Sequence, residues 1–333
     1  MSLATAELRR LTKRRFVRWL VAGTLAVMVA IAAGISLSNE KVGPEQVAQA
    51  KAAAEREYQD AVRQAEQDRL TCERAPGTNG LPADCTQLYQ PQPQDFSPDW
   101  HMPSTFTFKS DFGAVLTTFA AIFVLLGFVV GASYVGAEWS SGGMMNLLLW
   151  RPRRLQVLGT KLGILLGAAA ALSVVVAVLW TLAFIGIAST RGTLDGMTAG
   201  AWRSTALTEL RAVVLILLGT AIGFGLASLG RHTAVALGVA AGVVVVLQFG
   251  LFLVLNMASV PFGEIFLLPI WAVAWMNKEI KLENYQSCAY SAVNGCQPDT
   301  LTLTWPMAGG LWVAIFVVIV GAALWTMQRR DIT

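Results

Sequence analysis

Six long apolar runs alternate with polar segments along the chain: Trp19–Leu37, Phe112–Tyr134, Leu162–Ile187, Val213–Leu229, Thr233–Leu255 and Met307–Met327. A helix needs about 20 mostly apolar residues to cross the hydrocarbon core of a bilayer, and every run approaches or exceeds that length. The polar segments are of two kinds. Residues 135–161 and 230–232 are short and basic, whereas 38–111, 188–212 and 256–306 are long and hold most of the acidic side chains. The pattern predicts an all-α, polytopic membrane protein with six transmembrane helices at 19–37, 112–134, 162–187, 213–229, 233–255 and 307–327. A further apolar stretch, Val260–Met276, is interrupted by Pro261, Gly263, Glu264 and Pro269. It reads as short re-entrant helices within the 256–306 loop, since irregular backbone is tolerated where protein covers it.

Charge orients the spans. Arg9, Arg10, Lys13, Arg14, Arg15 and Arg18 precede the first run, while Arg151, Arg153, Arg154 and Lys161 separate the second from the third. Arg231 lies between the fourth and fifth, and Arg329 and Arg330 follow the sixth. Short basic flanks stay in the cytoplasm, so both termini (1–18 and 328–333) are expected inside and the long loops outside. The net charge of +4 is then a topological bias, with no nucleic-acid partner implied. The first run exceeds the 7–15 apolar residues of a signal peptide and is taken as a span.

All four cysteines fall in the outer loops: Cys72 and Cys85 in the first, Cys288 and Cys296 in the last. Four cysteines allow three pairings. The local one, Cys72–Cys85 with Cys288–Cys296, needs no contact between distant loops and suits an oxidising compartment. No metal is expected, because these spacings are not the close pairs of a zinc site and neither His101 nor His232 is near a cysteine in sequence.

Two polar segments carry their own helical pattern. In residues 1–18, Ala4, Leu8, Leu11 and Trp19 share a face with Arg15 among them, as in a helix lying on a membrane surface with a snorkelling arginine. In the first outer loop, 44–73 reads as a helix, with Val47, Ala50, Ala54, Tyr58, Ala61, Val62 and Ala65 on one face. That makes an extracellular helical insertion, either a receiving domain or a spacer, followed by an irregular stretch at 76–103. Within the spans, the pairs Gly127/Gly131, Gly219/Gly223 and Gly238/Gly242 permit close helix approach. Gln248 is the clearest polar side chain in the middle of a span, and so a candidate for a translocation path. No phosphate-binding glycine loop, metal-binding HExxH or nucleophile elbow is present, so no catalytic residue is assigned.

The stretch from Gly131 to Lys161, GASYVGAEWSSGGMMNLLLWRPRRLQVLGTK, combines these cues. Glu138 follows a small-residue exit from the second span. Ser141 and Gly142 turn the chain, Leu147, Leu148 and Trp150 belong to an apolar helical stretch, and Arg151, Arg153 and Arg154 close it. Lys161 opens the third span. This resembles the inner loop of permease subunits of ABC-2-type transporters, the type V exporter fold. The basic helix before span one, the interrupted helices between spans five and six, and Arg329-Arg330-Asp331 are similar too. The long cysteine-containing first loop looks like a subgroup common in actinobacteria, which places the protein in a bacterial plasma membrane. The resemblance implies a coupling interface at Glu138, Ser141, Gly142, Leu147, Leu148, Trp150, Arg151, Arg153 and Arg154. It further implies a dimer of ABC ATPase subunits as partner, and a second permease copy or a paralogue. ATP and Mg²⁺ would be bound by the ATPase partner, with no cofactor in this chain. Membrane lipid is the remaining partner, since the residues from Met144 to Trp150 are too apolar for free solvent and need a protein groove or a lipid surface to cover them. A secondary transporter and a membrane-anchored sensory or binding protein using the outer helix are the alternative readings. A mid-span charge would favour the first, and the sequence has none.

Overall fold

A computed structural model of the chain describes residues 3–76, 82, 84–150, 153–291 and 295–329, with side chains at all of these except 3, 150, 285–291, 295 and 296. The elements run α1 (Leu3–Lys13), α2 (Arg15–Ser38), α3 (Pro44–Arg74), β1 (Phe106–Thr107), α4 (Phe108–Ser140), α5 (Gly143–Trp150) and α6 (Arg154–Arg191). They continue with β2 (Gly192–Thr193), α7 (Ala199–Gly230), α8 (Thr233–Gly242), α9 (Leu251–Met257), α10 (Leu268–Asn277), β3 (Glu279–Ser291), β4 (Gly295–Thr304) and α11 (Trp305–Arg329). Among the described residues six helices are long and apolar enough to cross a membrane: α2, α4, α6, α7, α8 through α9, and α11. Several outrun their apolar cores. The 38 residues of α6 extend roughly 57 Å at 1.5 Å per residue, well beyond a ~30 Å hydrocarbon layer.

The chain divides into two units, Met1–Ile31 with Lys109–Phe184 and Gly196–Thr333, and Ala32–Phe108 with Ile185–Asp195. The second is built on α3. Pro44 opens this helix at a position where its missing N–H costs nothing, and the Gly43 N–H donates to Gln46 Oε1 at 2.5 Å. Ala50 and Ala54 are buried, on the face the periodicity marks out. Tyr58 packs its ring on Phe96, with centroids 5.8 Å apart, and Glu57 bonds His101 at 2.9 Å. Cys72 and Cys85 form a disulfide, closing a loop of ~14 residues that contributes roughly 3 kcal/mol in the chain-entropy model. The expected Cys288–Cys296 pair falls on side chains outside the described residues.

In the first unit α4 and α7 meet through glycine. A Cβ at Gly127 or Gly131 would collide with Thr220, and one at Gly223 with the Phe128 carbonyl. Removing side chains here lets two backbones approach and recover dispersion contacts, which drive helix association where lipid offers no hydrophobic gain. The third glycine pair behaves differently, for Gly238 and Gly242 face open space. Downstream of α8 the backbone widens into a π-helical segment, Val243–Gly250, which leads into α9.

The 256–306 region corrects one expectation. A short 3₁₀ turn at Gly263–Phe266 and α10 supply the anticipated short helices, but β3 and β4 then form an antiparallel hairpin, so the fold is nearly and not wholly α. The cause is two-residue alternation. Ile280 pairs with Leu303 and Leu282 with Leu301, placing four apolar side chains on one face against Ala274 and Ala308. Trp275 anchors this corner by donating its indole N–H to the Arg211 carbonyl at 2.9 Å.

The glycine contact predicts a sharp positional difference. Gly223→Ala should destabilise the detergent-solubilised protein by about 1–3 kcal/mol through overpacking. Gly163→Ala, where a Cβ meets nothing within 4 Å, should be neutral or slightly stabilising. Thermal unfolding of the two variants side by side measures the contrast.

Candidate functional site

The α4–α5–α6 corner is positioned by a turn and a buried ion cluster. The turn is Gly142, whose φ of +72° is left-handed and favours glycine. Its N–H donates to the Trp139 carbonyl at 3.2 Å, ending α4 and releasing the chain into α5. The cluster lies beside this turn. Lys161 Nζ, near the start of α6, sits 2.7 Å from Glu7 Oε2 and 2.7 Å from Glu138 Oε2. Arg14 reaches the other Glu138 oxygen at 3.3 Å and donates to the Ser133 carbonyl at 3.1 Å. The Tyr134 hydroxyl donates to Glu7 Oε2 at 2.6 Å, and its ring lies 5.3 Å from both the Arg14 guanidinium and the Lys161 ammonium.

Burial makes this more than a surface network. Glu7, Lys161 and Tyr134 are 0% exposed and Glu138 is 8% exposed. Two carboxylates and two cations balance, with Arg10 adding a solvent-side contact to Glu7 at 3.4 Å. Burial pushes the Glu7 carboxyl up, but the hydrogen bonds from Lys161 and Tyr134 and the nearby charges outweigh it and hold the group below its ordinary value. The arrangement binds α1, the end of α4 and the start of α6 into one block, and α5 hangs between the last two.

On α5 itself, Met144 and Leu148 are buried, while Met145 and Leu149 turn outward, Leu149 being 81% exposed. A basin of about 650 Å³ adjoins this helix, walled by Arg10, Lys13 and Arg14 on one side and by Glu138, Gly143, Asn146 and Leu147 on the other.

The expected coupling residues therefore separate by position. Glu138 and Leu147 line the basin, Gly142 makes the turn, and Ser141 is exposed beside it. Leu148 faces the bundle, and the outward apolar surface is carried by Met145 and Leu149. Arg153 is exposed and Arg154 half-buried. The Trp150 side chain and Arg151 lie outside the described residues. Gln248 accepts a hydrogen bond from the Leu268 N–H at 2.8 Å, which satisfies an otherwise uncapped first turn of α10 and gives this side chain a structural partner.

Sequence reasoning missed Glu7 and Tyr134, and treated Arg14 and Lys161 only as basic flanks. The face assigned to α1 also shifts, since Glu7 and Leu11 point inward and Leu8 is exposed. A lone acid among six bases, and a lone lysine entering an apolar run, were the available signals.

Removing Lys161 should expose the cost of this burial. Lys161→Met leaves two carboxylates facing one cation and should destabilise by roughly 3–5 kcal/mol. Adding Glu7→Gln restores neutrality and should recover at least half of that, as a double-mutant cycle followed by thermal unfolding would show. Acid should act in the same direction. With its pKa lowered, Glu7 stabilises fully above the ordinary carboxylate value of about 4.3. That contribution fades as pH falls through the lower folded value, so protease accessibility of residues 3–13 should rise only in acid below about pH 4.

No curated protein and no solved structure matches the chain. A family model described as "ABC-2 family transporter protein" matches residues 1–332. With six membrane-spanning helices, a glycine-turned apolar helix at the second-to-third span junction and a match over nearly its whole length, the chain belongs to the ABC-2 family of transporter proteins.

Proposed function

We propose that this protein is the transmembrane permease subunit of an ATP-driven ABC exporter, worked by a separate ATPase subunit that docks on α5. The observation that carries the reading is the two-faced α5. Its inward residues, Met144 and Leu148, are locked to the bundle, while Met145 and Leu149 present apolar surface beside a basic basin. A helix free to rest on headgroups needs no such anchorage. Here the ion cluster ties both ends of the corner to α1, so a push on α5 displaces the ends of α4 and α6 together.

In this reading two ATPase subunits bind ATP and Mg²⁺ beneath a pair of permeases, either two copies of this chain or this chain with a paralogue. Closure of the ATPases is passed through 138–154 into the second span and switches a cavity between the second and fifth spans of the two permeases. Substrate leaves outward or into the outer leaflet. The basic flanks support a cytoplasmic position for α1, α5 and both termini, and an extracellular position for α3 and the hairpin. The outward direction and the bacterial plasma membrane rest on the family resemblance. The balanced cluster of Lys161 and Arg14 with Glu7 and Glu138 speaks against the secondary-transport alternative, because coupling ions need a carboxylate free to bind them.

Met145→Glu with Leu149→Glu tests the docking. Both side chains are exposed, so folding and insertion should be unaffected. ATPase activity co-purifying with the tagged permease should fall more than tenfold, as expected where apolar anchors contributing about 2 kcal/mol are lost. Unchanged ATPase recovery and transport in this variant would refute docking on α5 and favour a helix lying on lipid.

A further inference from the structure

A second cavity, of about 430 Å³, lies among the spans, with Leu11 and Thr12 of α1 also lining it. Ala22 and Leu25 of α2 form one wall, and Leu126 of α4 and Ala169 of α6 face them. Its volume falls in the range of small-molecule sites, about 300–1,000 Å³, but its lining is apolar. The three hydroxyls within it are already committed to their own helices, Thr12 donating to the Leu8 carbonyl at 3.0 Å. Ser173 donates to the Ala169 carbonyl and Thr220 to the Ile216 carbonyl at 2.8 Å. Ordered water needs two to four polar partners, and this space supplies few. An empty void would forfeit the dispersion contacts of its walls. Something apolar belongs there.

The mouth identifies it. Arg18 lines the cavity at one end, exposed, with its guanidinium held only by the Lys13 carbonyl at 3.4 Å among the contacts described for it. Lys13 and Arg15 are exposed close by in sequence. From Arg18 to Leu25 the helix rises roughly 10 Å, which fits within one leaflet of a ~30 Å hydrocarbon core. A cationic mouth above an apolar shaft of leaflet depth is complementary to a lipid carrying negative charge on its headgroup. The first span has room for it, because Met28 is the buried residue of α2 while Ala22 and Leu25, which line the cavity, are exposed.

We infer that this groove is a binding site for one anionic phospholipid of the bilayer, its acyl chain lying between α2 and the α4–α6–α7 wall and its phosphate at Arg18. The lipid completes the packing of the first span. The inference rests on the membrane setting of these helices and not on ATPase docking at α5, so either can fail without the other.

Electron spin resonance of chain-labelled phospholipids in nanodiscs holding the full-length protein provides the test. Wild-type protein should show a motionally restricted lipid component that favours an anionic over a zwitterionic headgroup by about fivefold per engaged basic residue. Arg18→Ala should abolish that preference. Ala22→Trp and Ala169→Trp fill the groove from opposite walls, and each should remove the anionic-selective component. Two variants guard against one that fails to fold, and circular dichroism identifies it. Absence of headgroup preference in the wild type, or an unchanged component in both well-folded tryptophan variants, would show ordinary boundary lipid and overturn the assignment. Efficient disulfide cross-linking between copies of Ala22→Cys would overturn it as well, by placing a second copy over the groove.

Discussion

Two carboxylates, an ammonium and a guanidinium share one buried site at the junction of α1, α4 and α6, and the rest of the basic end of the molecule is arranged around that constraint. Desolvating a single ion costs several kcal/mol even after relaxation, so none of Glu7, Glu138 or Lys161 can be buried without the others. Lys161 lies 2.7 Å from each carboxylate and serves as the hub. The three helices that supply these groups must therefore assemble together. Their assembly fixes the two ends of the α4–α6 connection, and with them the pose of α5. An ion cluster is a weak source of net stability, but it discriminates strongly among arrangements, since a displaced helix would leave a charge unpaired in an apolar setting.

A different interaction carries the position of α4 deeper into the bundle. Its Gly127 and Gly131 nest against Thr220, and Gly223 of α7 against Phe128. Contacts this close leave no side chain to absorb a small displacement, so α4 and α7 respond as one body. α4 thus bears the ionic corner at its end and the glycine contact along its length. In the exporter reading this makes α4 the route by which motion at α5 enters the spans. α8 meets α4 at its start, where a Cβ at Gly136 would collide with Thr233, whereas its Gly238 and Gly242 face open space.

The long-range architecture was legible because apolar length is a one-dimensional property. Six runs of adequate length gave six helices, and α3 followed from its 3.6-residue periodicity and Pro44. What escaped was set by pairing across the sequence. Glu7 and Lys161 stand 154 positions apart, and neither signals the other; Glu7 looked like an ordinary solvated acid within a basic helix. The hairpin was overlooked for a different reason. Residues 279–283 and 300–304 alternate polar and apolar in plain view, but the expectation for this loop rested on the interrupted apolar stretch at 260–276. On α5 the apolar composition is legible in the sequence and the facing is not. Eight residues make little more than two turns, and only contact with the bundle decides that Leu148 points in and Leu149 out.

Two of the exposed apolar surfaces differ in shape and call for different covers. The α2 groove is bounded by spans on facing sides and entered past an exposed cationic side chain, which suits a narrow, fluid occupant that can thread between helices. The α5 surface is convex and short, consisting of Met145 and Leu149 on a helix whose opposite face is locked. Lipid chains cover such a surface without using its fixed orientation, whereas a protein groove exploits it, because an anchored helix loses little entropy when gripped. The adjoining basin sharpens the distinction. Arg10, Lys13 and Arg14 wall it on one side, yet Arg14 is held by Glu138 and Ser133 and Arg10 contacts Glu7, leaving mainly Lys13 to meet an incoming acidic surface. A partner that places apolar contacts on α5 and carboxylates toward the basin would satisfy both features at once, and that combination describes a protein docking site more closely than a headgroup layer.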